Sequence, residues 1–270
     1  MGKLTYAGLV WRNHRGMLLF SIAVVAALEY LIVWLISTFE FVPALAAAFD
    51  QLPPMIRTFF NEEFLTRLSA RGAVAFGFDH PLLLSILAIN AIVIPSRQIS
   101  AEIESGTFEL ILAHPIKRTT VAAGIWISGA AMLLLIVAGA LAGSFAAIAL
   151  HHGLDGALAV RLLRIGANLF LLFVFVLSYT LLLSAFGKEG SRTGILGAGI
   201  TVVFYFFHFL ARLWDRIEPL RPLNMFTYYQ PQELMFDQRS FVTNLVVLLA
   251  GNAVFLAIAL WQLNRRDIPG

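Results

Sequence analysis

Between two apolar stretches lies a run whose polar residues are ordered: Arg97-Gln-Ile-Ser-Ala-Glu-Ile-Glu-Ser-Gly-Thr-Phe-Glu-Leu-Ile-Leu-Ala-His-Pro-Ile-Lys-Arg118. Glu102 and Glu109 stand two helical turns apart and share a face with Ser105, while Ile99, Ile103 and Leu110 form a separate apolar stripe. Gly106 weakens a helix by about 1 kcal/mol relative to Ala, so a bend is expected there. Pro115 stops the helical run, and Lys117 and Arg118 open the next apolar stretch. An amphipathic, acid-bearing helix in this position suits docking onto a soluble partner with a basic-rimmed groove. The spacing fits equally a solvated loop whose charges keep it out of lipid.

Other polar residues interrupt the apolar stretches. Glu29 sits near the middle of the first one, where a carboxylate costs a few kcal/mol unless it faces protein or water. It is read either as part of a translocation route or subunit interface, or as a structural pair with a neighbouring helix or a protonated, hydrogen-bonded acid. Asn90 and Asn168 suit hydrogen bonds between helices, with a substrate-contacting role as the alternative. His151 and His152 lie together with Asp155 close by, but adjacent histidines point apart on a helix, so no metal site is expected. There is no His-Glu-x-x-His, no Gly-x-Ser-x-Gly and no paired aspartates within an apolar stretch, which argues against an intramembrane enzyme. The loop Gly187-Lys-Glu-Gly190 lacks the upstream glycine of a phosphate cradle, so no ATP site is expected in this chain.

The elements that must position these residues follow from composition. The chain has 270 residues, 59% hydrophobic and only 13% charged, with 23 phenylalanines and no cysteine. Soluble domains run near half apolar and a quarter charged, so the solvent implied here is lipid. The absence of cysteine excludes disulfides and thiolate metal sites. The modest net charge of +3 forms no basic block, which excludes a nucleic-acid binder. Apolar runs long enough to cross a bilayer predict an all-α membrane protein with spans at about 17–38, 81–99, 121–150, 165–186, 194–213 and 242–263. They form one membrane domain covering residues 1–270.

Pro81 fits a first helical turn, and Pro95 is expected to kink the second span near its end. The first sixteen residues, with Leu4, Ala7 and Trp11 on one face and Lys3, Arg12, His14 and Arg15 around it, suggest an interfacial helix. An ordinary basic flank of the first span is the alternative. No cleavable signal peptide is expected, because the first apolar run is too long for one and lacks a small-residue cleavage site. Phe59 and Phe60, after Pro53 and Pro54, hint at an amphipathic helix on the outer surface, with a plain polar loop as the equal alternative. Lys and Arg concentrated in the short loops favour both termini inside, with multi-pass insertion in the cell (inner) membrane.

The pattern Glu-x-Glu-x-Gly-Thr-x-Glu-Leu-x-Leu-x-x-Pro-x-x-Arg, from Glu102 to Arg118, resembles the signature of type-2 ABC exporter permeases. The ending Asn264-Arg-Arg-Asp-Ile-Pro269 resembles their C-terminus, and the six-span plan covers nearly the whole chain. The resemblance implies a cytoplasmic coupling helix between spans two and three. Its residues are Glu102, Glu104, Gly106, Thr107, Glu109, Leu112, Pro115 and Arg118, inserted into a cleft of a separate ATPase subunit that carries ATP and Mg. It also implies alternating access and a second permease subunit, most simply an identical copy. The long outer segment Phe39–His80 departs from the smallest members of the family. The rival classes are an intramembrane enzyme and an assembly or channel subunit without an ATPase.

Overall fold

The computed structural model describes residues 3–38, 70–108, 117–151 and 155–266, and the regular elements among them are all helical. α1 spans Lys3–Thr38, α2 Ala70–Phe78, α3 Pro81–Pro95, α4 Arg118–His151, α5 Gly156–Phe186 and α6 Gly190–Leu213. Two 3-10 stretches follow, Asp215–Leu223 and Met225–Tyr228, and then α7 (Pro231–Met235) and α8 (Phe241–Arg265). Among the described residues six segments are long and apolar enough to cross a membrane: Gly8–Leu35, Val74–Glu104, Arg118–His151, Gly156–Phe186, Gly190–Ala211 and Phe241–Arg265.

Local chemistry sets several boundaries. Pro81 occupies the first turn of α3, where its missing N–H costs nothing, and the His80 ring accepts from the Leu82 N–H at 3.2 Å. Asp155 caps α5 by accepting from the Ala157 N–H, and Ser240 caps α8 through the Thr243 N–H. The N-terminal stretch is not set off from the first span, since α1 runs unbroken from Lys3 to Thr38. Its expected interfacial character therefore has no separate helix to carry it. The hinted outer-surface helix around Phe59 lies outside the described residues.

α5 is the central helix: 72% of its most apolar window is enclosed by protein, against 17% for α6 and for α8. It touches α3, α4, α6, α7 and α8, while α1 lies along α4. The α1–α4 seam is close because α4 carries Gly139 and Gly143 one turn apart. A Cβ on Gly139 would stand 2.9 Å from Cγ2 of Ile22, and one on Gly143 would run into the backbone carbonyl of Ala26. Two apolar helices in lipid gain nothing from hiding each other's hydrocarbon, so association relies on such close contact. Outward faces carry large apolar side chains, Phe20, Ile195, Val203, Phe206 and Val254 among them, as suits a lipid environment.

Candidate functional site

The ordered run of acids begins where α3 changes its winding. Pro95 has no N–H to give the Ala91 carbonyl, which interrupts the ladder, and the Ser96 hydroxyl adds its own bond to the Ile92 carbonyl at 2.6 Å. Ser96–Ala101 then forms a π-helical stretch with Ser96, Gln98, Ile99 and Ser100 buried, and Glu102–Glu104 adds a last helical turn. Such widened turns are rare and often occur at functional sites. The expected kink at Pro95 thus takes the form of a change of helical register.

The bend at Gly106 is there, with φ at +73°, a region where a side chain would be strained. Thr107 Oγ1 donates to the Glu102 carboxylate and lies 2.7 Å from Ser105 Oγ, which closes the turn on itself. Phe108 is buried just beyond. Glu109, Leu112 and Pro115 lie outside the described residues.

The acids that can be described have partners within the chain. Glu104 Oε2 accepts from the Gly190 N–H at 2.9 Å, at the first residue of α6. Ser100 Oγ accepts from Thr193 Oγ1 at 3.0 Å. Arg118 does not point to solvent: it donates to the Arg266 carbonyl. Arg266 in turn donates to the carbonyls of Ala185 at 2.9 Å and Ser184 at 3.3 Å, in the last turn of α5. A guanidinium there complements the negative end of the helix dipole. Burial lowers the Arg266 pKa from its usual value. The two arginine positions carrying the family resemblance, far apart in sequence, therefore meet at one end of the bundle.

Glu29 is fully enclosed, with Ser144 Oγ donating to its Oε2 at 3.0 Å and no partner on Oε1. Gly77 lets α2 close over it, since a Cβ there would lie 2.5 Å from Oε2. Asn90 donates to Ser21 Oγ at 2.9 Å, which joins α3 to α1. Asn168 donates to the Tyr228 carbonyl at 3.0 Å and accepts from Asn244 at 3.2 Å. All three of these expected intramembrane residues thus bridge elements, and the structure does not bring them together in one site.

The sequence reading missed Ser144, Gly77 and Asn252, which accepts from Ser178 at 2.8 Å. The small-residue pair Gly139 and Gly143, with Ser144 next to them, was the legible signal for the first of these. At the end of the bundle where α2 meets the loop before α7, Tyr229 donates to the Phe78 carbonyl at 2.7 Å, and full burial, with Asp79 and Glu29 nearby, raises its pKa well above the usual value. Among the described residues no group of three or more His, Asp or Glu could hold a metal ion.

An apolar cleft of about 320 Å³ opens between α3 and α6, bordered by Ser85, Ala88, Ile89, Ala198, Val202 and Phe206.

The family model described as ABC-2 family transporter protein matches residues 12–268. No curated protein matches the chain. Because the match covers nearly all of it, the chain belongs to the ABC-2 transporter family, whose members are the membrane components of ABC transporters and work with an ATPase partner.

Proposed function

We propose that this ABC-2 family chain is the permease subunit of an ATP-driven exporter, coupled to a separate ATPase through the segment after α3 and paired with a second copy of itself. The observation that carries the reading is the closed turn from Glu102 to Phe108. It is bent at Gly106 and mounted on the end of one candidate span just before the next begins. A rigid, acid-bearing turn at the end of a span can receive a push from outside the membrane and pass it to the helices. In this reading the N-terminus, Gly106, Glu189 and the C-terminus face the cytoplasm. The cleft between α3 and α6 is lined almost wholly by hydrocarbon, which suits a substrate carrying apolar groups. Glu29, Asn90 and Asn168 then hold helices together rather than meet that substrate.

Reversing two charges tests the coupling. Glu102→Arg with Glu109→Arg leaves the apolar part of the spans intact, since Glu102 stands in the last turn of its span and Glu109 follows it in the chain. If the acids meet basic residues at a partly buried interface, the loss is about 2–5 kcal/mol, or at least ~30-fold in ATPase affinity. Pull-down of the ATPase with the purified permease reads this directly. Wild-type binding by the double variant would remove the coupling function from this segment.

A further inference from the structure

The coupling reading treats the acids after α3 as one docking face, but the geometry separates them. Glu102 turns inward to Thr107, while Glu104 reaches to α6 and accepts from the N–H of Gly190. The first turn of a helix leaves its N–H groups without intrahelical partners, and its dipole favours an anion there. One turn earlier, Ser100 accepts from Thr193, both buried. Two glycines bring the backbones together between these bonds. A Cβ on Gly190 would stand 2.6 Å from the Ala101 Cβ and 3.0 Å from its Cα. A Cβ on Gly187 would run into the Thr193 hydroxyl and lie 3.1 Å from Ser100 Oγ. The contact has no slack, so displacing the segment either carries the start of α6 with it or breaks both hydrogen bonds.

We infer that Ser100 and Glu104 tie the segment after α3 to the N-terminus of α6 so that the two move as one body, with Glu104 a positioning residue that acts through α6 rather than a contact for the ATPase. The inference rests on the proposed coupling function and says where the movement goes. The π-helical stretch Ser96–Ala101 leads from α3 into the tied residues, and its part ahead of Ser100 is the place where the tied body can turn relative to α3. The cleft bordered by Ala198, Val202 and Phe206 of α6 and by Ser85, Ala88 and Ile89 of α3 lies between those two helices. A push on the segment therefore changes that cleft from the end where α6 is tied.

The test uses the permease–ATPase complex in liposomes, with permease-dependent ATP hydrolysis and ATPase pull-down as readouts. Glu104→Ala is expected to bind the ATPase like wild type and to lower permease-dependent hydrolysis about ten-fold. Glu104→Gln, whose amide oxygen still accepts from Gly190, is expected to stay close to wild type. The decisive arm adds Ser100→Cys and Thr193→Cys to Glu104→Ala, the only thiols in a chain that has no cysteine. Oxidation should join them and restore hydrolysis, and reduction should abolish it again. As a conformational readout, maleimide labelling of Ala198→Cys should change with ATP in the otherwise wild-type chain and not in Glu104→Ala.

Loss of ATPase binding by Glu104→Ala would make Glu104 a docking contact and overturn the inference. So would wild-type hydrolysis by that variant, failure of the cysteines to join, or a disulfide that restores nothing. The Glu102→Arg/Glu109→Arg chain, run alongside, keeps the two readings apart. Its retention of the ATPase sinks the coupling function itself, whereas its loss of binding with an unaffected Glu104→Ala sinks only the tie.

Discussion

Gly143→Ala is the sharpest probe of how the first and third candidate spans are held. The added methyl would overlap the Ala26 carbonyl oxygen and lie 2.9 Å from its carbon and 3.0 Å from Cα. All three are backbone atoms of α1, so no side chain can rotate away and the helix itself must retreat. Overpacking of this kind costs about 1–3 kcal/mol. The retreat has a second consequence, because Ser144, the next residue, makes the 3.0 Å hydrogen bond to Glu29 across the same seam. Losing it strands a buried carboxyl group at a further cost of about 1–3 kcal/mol.

The expected total is about 2–6 kcal/mol, large for one methyl group. Gly139→Ala should cost less, because the methyl comes to 2.9 Å only from Cγ2 of Ile22, and the Ile22 backbone stays at 3.4 Å or more. Gly199→Ala is the control, since nothing lies within 4 Å of its Cβ position. Unfolding of the detergent-solubilised chain by denaturing-detergent titration ranks the three. If Gly143→Ala proves as stable as Gly199→Ala, the α1–α4 seam is not packed as described and its link to Glu29 falls too.

Two further outcomes are expected. Ser144→Ala removes the hydrogen-bond donor that Glu29 has in this structure and should cost about 1–3 kcal/mol, while Glu29→Gln, which can still accept from Ser144, should cost under about 1 kcal/mol; the same titration reads both. For orientation, a cysteine in place of Phe59 should label from outside intact cells and one in place of Glu189 should not, and the reverse pattern would invert the proposed topology.

Hydropathy located the spans because it reports which residues avoid water, and it misplaced their ends because backbone hydrogen bonding continues past the apolar run. The fourth span was expected to start at 165 but α5 begins at Gly156. The added turns carry Arg161 and Arg164, which pair with Asp237 at 2.8 and 3.4 Å and so extend a helix that hydropathy cuts short. The fifth was expected from 194, whereas α6 starts at Gly190, where Glu104 satisfies an N–H. The acids at 102 and 104 and the bend at Gly106 were legible from spacing and from glycine's backbone freedom. Their partners were not. Gly190 lies 86 residues beyond Glu104 and Arg266 lies 148 beyond Arg118, and nothing local in the sequence encodes either meeting. Glu29 could be recognised as costly, but that Ser144 and Gly77 enclose it depends on how α1, α2 and α4 stack.

The distribution of contacts divides the bundle into a stiff part and a part with freedom to move. α1 is locked to α4 by the glycine seam, and α5 to α8 through Asn252, Ser178 and the placement of Gly251 against the Phe175 ring. α6 is held differently. It meets α5 through Tyr179, which bonds Thr201 and the Gly197 carbonyl, and it meets the α3 side chiefly through the π-helical stretch rather than along α3 itself. Above that junction the two helices part around the cleft. At its other end α6 is held by Asn224, which donates to the Phe204 carbonyl at 2.7 Å, and by the Tyr205–Phe226 ring contact, so it is pinned at both ends and open along the flank between them. The bonds at its start therefore set how far a push on the neighbouring segment reaches it, and the flank along the cleft is where it has room to bend.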